Sequence, residues 1–241
     1  IETIPVFNFT NYQYVDKLNE DNTTTRVIYH TSSPTKINFN GKTGLLEVQY
    51  LDMSNISDVI QMFYNCTSLT KVNTDNWKLN KVSNTSNMFR GCSSLVELDL
   101  SSLDFSNVTN MQSMFTRNTS LVSVGDTSFW ELGKVTNMNY MFEGCSSLRE
   151  LNTSNWDMSS VKTMTQTFDG CSLLTKLDVS NWRFSAITSL SMTFSNCTSL
   201  TTLDVSNWDV SNVTTMLNMF SGCSSLTDMN LSRWDISSLT N

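Results

Sequence analysis

Histidine is nearly absent from this chain of 241 residues, which holds only His30. That leaves little imidazole for acid–base or metal chemistry. Only 15% of the residues are charged, the net charge is -7 and the sequence pI is about 4.6. A nucleic-acid binder would carry a basic patch instead, so nucleic acid is excluded as a partner. No apolar run approaches the roughly eighteen residues of a membrane helix, which excludes direct membrane insertion through a helix. With 8 glycines and 2 prolines the chain has no phosphate-cradling Gly-rich loop. It also has no nucleophile elbow and no metal motif, so neither an enzyme nor a cofactor is expected. There is no start methionine and no visible signal peptide, and the chain stops at Asn241 in mid-pattern. It reads as a fragment of a longer, processed protein. Against these absences stand a 39% hydrophobic fraction and an abundance of Ser, Thr and Asn.

Those residues are organised by an internal repeat. A Phe followed three residues later by Cys recurs at Phe63/Cys66, Phe89/Cys92, Phe142/Cys145, Phe168/Cys171, Phe194/Cys197 and Phe220/Cys223, while Phe115 is followed by Asn118. The period is 26 residues, with one step of 27 from Phe115 to Phe142. Within a unit, Leu95, Leu98 and Leu100 form Leu-x-x-Leu-x-Leu, whose alternating end predicts a very short strand. A Ser-Asn-Trp-Asp segment, as at Ser206–Asp209, then favours a turn. Val108, Met111, Met114 and Phe115 lie on one face of an expected short helix, with Ser106 or Asn107 as its N-cap. Such a unit cannot bury its apolar face alone and must stack on copies of itself. The expected fold class is therefore α/β: a solenoid of about seven coils over residues 37–241, preceded by a non-repeating N-terminal cap over residues 1–36. That cap is rich in aromatics: Phe7, Phe9, Tyr12, Tyr14 and Tyr29. Leu46, Val48, Leu51, Met53, Ile56 and Val59 form a partial first coil in phase with the rest.

Each repeated column carries two readings. The six cysteines share one column, which suits a ladder of small buried thiols or, with poorer geometry, disulfides between neighbouring coils. Asn118 in that column is expected to bond to turn backbone. Trp77, Trp130, Trp156, Trp182, Trp208 and Trp234 share another column, either a packed corner or a sugar-stacking row. Asp104, Glu131, Asp157, Asp209 and Asp235 follow the tryptophans as solvated turn acids or, by mutual repulsion, as a place for calcium. The outward strand positions make the candidate binding face, expected to be concave: Glu97, Asp99, Glu150, Asn152, Lys176, Asp178, Thr202, Asp204 and Asp228. The coil of 27 residues replaces the usual strand and turn with a segment holding two glycines, and its Phe129 and Glu131 form a second candidate contact. Repetition argues against catalysis, because an active site needs a few unlike residues converging once.

The unit Met-Phe-x-Gly-Cys-Ser-Ser-Leu, followed by Leu-Asp-Val-Ser-Asn-Trp-Asp-Val-Ser-Asn-Val-Thr, resembles the 26-residue BspA-like leucine-rich repeat of bacterial surface proteins. The same repeat occurs in mycoplasma surface lipoproteins and in cell-wall proteins of lactobacilli, enterococci and Listeria. The resemblance covers about residues 37–241. It implies a right-handed leucine-rich-repeat solenoid at the bacterial cell surface, held by a cell-wall or lipid anchor outside this chain. It also implies adhesion to host mucin, epithelial cells or extracellular-matrix glycoprotein. The alternative is a structural spacer that projects another binding domain from the cell wall.

Overall fold

The computed structural model describes residues 35–49, 51 and 53–240, together with the backbone of two strands nearer the N-terminus. Those strands, β1 (Tyr12–Leu18) and β2 (Thr24–His30), pair antiparallel with Tyr12 opposite His30. They fall within the segment expected to form a cap, whose side chains lie outside the described residues.

From residue 35 onward successive units stack in parallel register, because one unit's apolar columns are covered only by the next unit's. β3 (Glu47–Val48) pairs with β4 (Lys71–Val72), and single-residue bridges Glu97↔Ser123 and Lys176↔Thr202 mark the same face further along. A second ladder joins Asn84, Asn110, Asn137, Thr163, Ser189 and Thr215 without a break. Between the two faces lies a continuous apolar core. Phe39, Phe63, Phe89, Phe115, Phe142, Phe168, Phe194 and Phe220 stack along it with centroids 5.1–5.9 Å apart. Trp130, Trp156, Trp182, Trp208 and Trp234 form a parallel stack at 5.7–6.3 Å.

The expected helix is not there: the described residues contain no helix. Val108, Met111, Met114 and Phe115 are buried as anticipated, but their backbone follows a different rule. Met114, Thr116 and Asn118 donate to carbonyls three residues back, while Ser113, Phe115 and Arg117 donate to Asn139, Met141 and Glu143 of the next coil. Alternate N–H groups thus close local turns and bind the neighbouring coil. An α-helix would direct every N–H four residues back and leave none for the next coil.

Two residues per coil make this path possible. Gln61, Asn87, Ser113, Tyr140, Gln166, Met192 and Asn218 have φ between 54° and 60°. Four residues on, Asn65, Gly91, Arg117, Gly144, Gly170, Asn196 and Gly222 have φ between 55° and 77°. A left-handed residue every fourth position stops right-handed helix propagation. The second column explains its own Gly and Asn content, since these residues tolerate that conformation best. Gly170→Ala isolates the backbone term, because its added Cβ would meet only Gly144, at an ordinary 3.6 Å. We expect it to cost about 1–2 kcal/mol in a urea titration. A neutral result would mean that the left-handed column carries no strain.

In the partial first coil Val48, Leu51, Met53, Ile56 and Val59 are buried as expected, and Leu46 alone of the six departs. Leu45 is buried and Leu46 is 51% exposed, because Leu45 closes the turn onto Lys42 and so occupies the inward position held by Leu69 and Leu95.

Candidate functional site

Strand alternation places Glu97, Asp99, Glu150, Asn152, Lys176, Asp178, Thr202, Asp204 and Asp228 on the surface, and all nine are exposed. Register brings Lys176 beside Thr202, and Glu97 beside Ser123. The acids of this face are braced by their own turns. Asp99, Asp178 and Asp204 each accept hydrogen bonds from the backbone N–H and hydroxyl of the serine two residues on. The Ser101 and Ser206 hydroxyl bonds, helped by the backbone N–H groups, hold Asp99 and Asp204 below the usual carboxylate range. These two carboxylates therefore stay ionised further into acid pH than a free aspartate. Among the described residues no three His, Cys, Asp or Glu side chains come together as a metal site.

The tryptophan column is a packed corner and not a sugar platform. Trp130, Trp156, Trp182 and Trp208 are at most 2% exposed. Each Nε1–H donates to a backbone carbonyl of the preceding coil, as Trp156 does to Thr127 at 3.0 Å.

The cysteines are free thiols, five of them buried. Each Sγ–H donates to the carbonyl of the column phenylalanine one coil earlier, as Cys145 does to Phe115 at 3.1 Å. Burial pushes the Cys66 thiol up to about 11 and those of Cys92, Cys145, Cys171 and Cys197 higher still. Cys223 is raised too, but it is only half-buried. Thiolate is the reactive form. In the native protein iodoacetamide should label Cys223 first, with Cys92, Cys145, Cys171 and Cys197 labelled only on unfolding. Uniform labelling read by mass spectrometry would contradict this ladder.

Asn118 departs from expectation. It is fully buried, yet neither its Oδ1 nor its Nδ2 has a partner. The nearby turn groups are already engaged: the Asn118 N–H donates to Phe115, and the Asn118 carbonyl accepts from Leu121.

The 27-residue coil keeps its strand pairing, contrary to the expectation that the strand is replaced. Ser123 still bridges to Glu97, and Leu100 donates to the Val124 carbonyl. The extra residue enters at Gly125–Asp126, after which Thr127 takes the inward position. Gly125 has φ 81°, and a Cβ there would lie 2.3 Å from Asp99 Oδ1. Beyond this bend Phe129 is 73% exposed, the most exposed large apolar side chain of the described residues, and Glu131 is exposed beside it.

The unbroken second ladder was not anticipated as a surface. Its side chains interlock across coils: Asn137 Nδ2 donates to Gln112 Oε1, Thr163 Oγ1 donates to Asn139 Oδ1, and Thr165 pairs with Ser189. Its signal was a column of small polar residues, one per coil.

Among the described residues no helix is long and apolar enough to cross a membrane. No curated protein and no solved structure matches this chain. Two stretches, residues 35–154 and 145–241, match one family, which agrees with the mycoplasma part of the resemblance seen in the repeat. The chain belongs to the family described as "Mycoplasma protein of unknown function, DUF285".

Proposed function

We propose that this chain is a non-enzymatic adhesion domain of a bacterial surface protein, a right-handed solenoid of the leucine-rich-repeat kind with stacked turns where helices were expected. Its partner is a host mucin, epithelial or extracellular-matrix glycoprotein, and its location is extracellular, anchored by segments outside this chain. The observation that carries the reading is the division of side chains. The apolar columns are committed to stacking, while the strand face offers amides, hydroxyls and carboxylates at every coil. Contacts of that kind are individually weak, and many copies on one cell bind through avidity. The test is capture of the purified chain by immobilised mucin, laminin or epithelial cells. Absence of capture on all three sinks the reading.

The regularity of the stack supports a second reading, a spacer that holds another domain away from the cell. Replacing this segment in the parent protein by an unrelated rod of equal length separates the two. Adhesion that survives the replacement assigns the spacer role, and adhesion that is lost assigns the binding role.

A further inference from the structure

Three departures from the repeat coincide at one corner. The position before the tryptophan column is Asn76, Ser102, Asn155, Asn181, Asn207 or Arg233 in other coils, but here it is Phe129. The position after it is Asp104 and Asp157 in the flanking coils, but here it is the longer Glu131. Two residues on, the flanking coils carry Ser106 and Ser159, whose N–H groups tie down Asp104 and Asp157 at 2.8 and 2.9 Å. Here that residue is Gly133, and a Cβ on it would sit 3.0 Å from Asp157 Oδ2. One coil thus exposes an aromatic ring and unties the neighbouring carboxylate. Glu131 has no hydrogen-bond or ion-pair partner among the described residues.

The charge around this ring is predominantly negative. Asp104, Glu131 and Asp157 stand in adjacent coils of one exposed column, and Asp126 is exposed at the preceding bend. Of the nearby cations, Lys134 donates from Nζ to Asn107 Oδ1 at 2.8 Å and lies close enough to Asp104 to help keep it ionised, while Arg183 donates to the Ser180 and Trp182 carbonyls. An exposed ring face attracts a guanidinium, and a free carboxylate beside it accepts that group's N–H donors. The same field repels sulfated or sialylated glycans.

We propose that the Phe129–Glu131 corner is a docking point for an arginine-bearing basic segment of a partner protein. This names the partner chemistry of the adhesive surface and rests on that reading for its biological setting.

The test is fluorescence anisotropy of the whole chain with a labelled hexapeptide of alternating Arg and Ser, at low and at physiological salt. N-acetylglucosamine trisaccharide is titrated separately by calorimetry. Phe129→Asn installs the residue that the following coil carries at Asn155 and is expected to weaken peptide binding about tenfold. Glu131→Gln is expected to weaken it about fivefold. Asp235→Asn removes the same net charge from the same column far from the corner, and should change binding less than about twofold. Peptide binding that is unmoved by Phe129→Asn overturns the proposal. So does an equal effect of Asp235→Asn and Glu131→Gln, which would mean that only net charge is sensed. Phe129-dependent binding of the trisaccharide without the peptide overturns it in favour of a sugar site. Phe129-dependent peptide binding by a chain that captures no mucin, laminin or cells upholds the corner and removes the adhesion reading.

Discussion

Phe142→Ala should lower the stability of the stack by about 3–5 kcal/mol, the usual cost of deleting a fully buried ring. Phe142 is 0% exposed and sits mid-column, 5.1 Å from Phe115 and 5.7 Å from Phe168. Truncation therefore damages two inter-coil interfaces at once. In a linear array each coil is held by its neighbours, so a weakened interior coil divides the stack. Phe220 supplies the control. It is half-buried and, among the described residues, its column contact is Phe194, at 5.8 Å. Phe220→Ala should cost less than about half as much. Guanidinium titration of both variants, followed by tryptophan fluorescence, checks the ratio. Equal costs would mean that neither ring burial nor the continuity of the column sets the energy.

The burial of that column was legible from spacing alone, because any path that returns every 26 residues must superpose like residues. The backbone path was not. Apolar residues three, three and one apart suit an α-helix, but they also suit a chain of turns closing every third residue. Side-chain periodicity cannot tell these apart, since both bury Val108, Met111, Met114 and Phe115. The discriminating signal was the Gly91, Gly144, Gly170 and Gly222 column, with Asn65 and Asn196 in the same place. It was readable as a left-handed position only if Gly and Asn were taken as backbone residues and not as spacers. Arg117, Tyr140 and Met192 hide the rule, because stacking forces them into the same conformation against their own preference.

The candidate surface was legible to a different degree. Alternation in Leu-x-Leu is enough to expose Asp99, Asp178 and Asp204, and the structure adds that each is braced by a serine two residues on. The release of Glu131 was less accessible. It goes with two changes together, a carboxylate one methylene longer than Asp104 or Asp157 and, at Gly133, a residue that keeps its N–H but has no hydroxyl. Thr127 holds the inward position that Thr74 and Thr153 also hold, three residues before the tryptophan, so its signal is spacing and not composition or charge.

Asn118→Cys should raise stability by about 1–3 kcal/mol, unusual for a change in a close-packed core. The buried amide leaves both Oδ1 and Nδ2 without partners, and such groups keep the cost of leaving water without the return of a hydrogen bond. Cysteine is close to asparagine in volume and restores the column. Its Sγ–H would face the Phe89 carbonyl, the counterpart of the acceptor that Cys92 finds on Phe63 at 3.0 Å and Cys145 on Phe115 at 3.1 Å. Asn118→Ala separates the two contributions. It removes the unpaired amide but leaves a smaller side chain and a void, so it should fall below the cysteine variant. Urea midpoints at unchanged slope provide the measurement. If Asn118→Cys is neutral or destabilising, the amide is satisfied in solution by a bridging water, and the break in the thiol column is a hydrated seam between the coils that flank it.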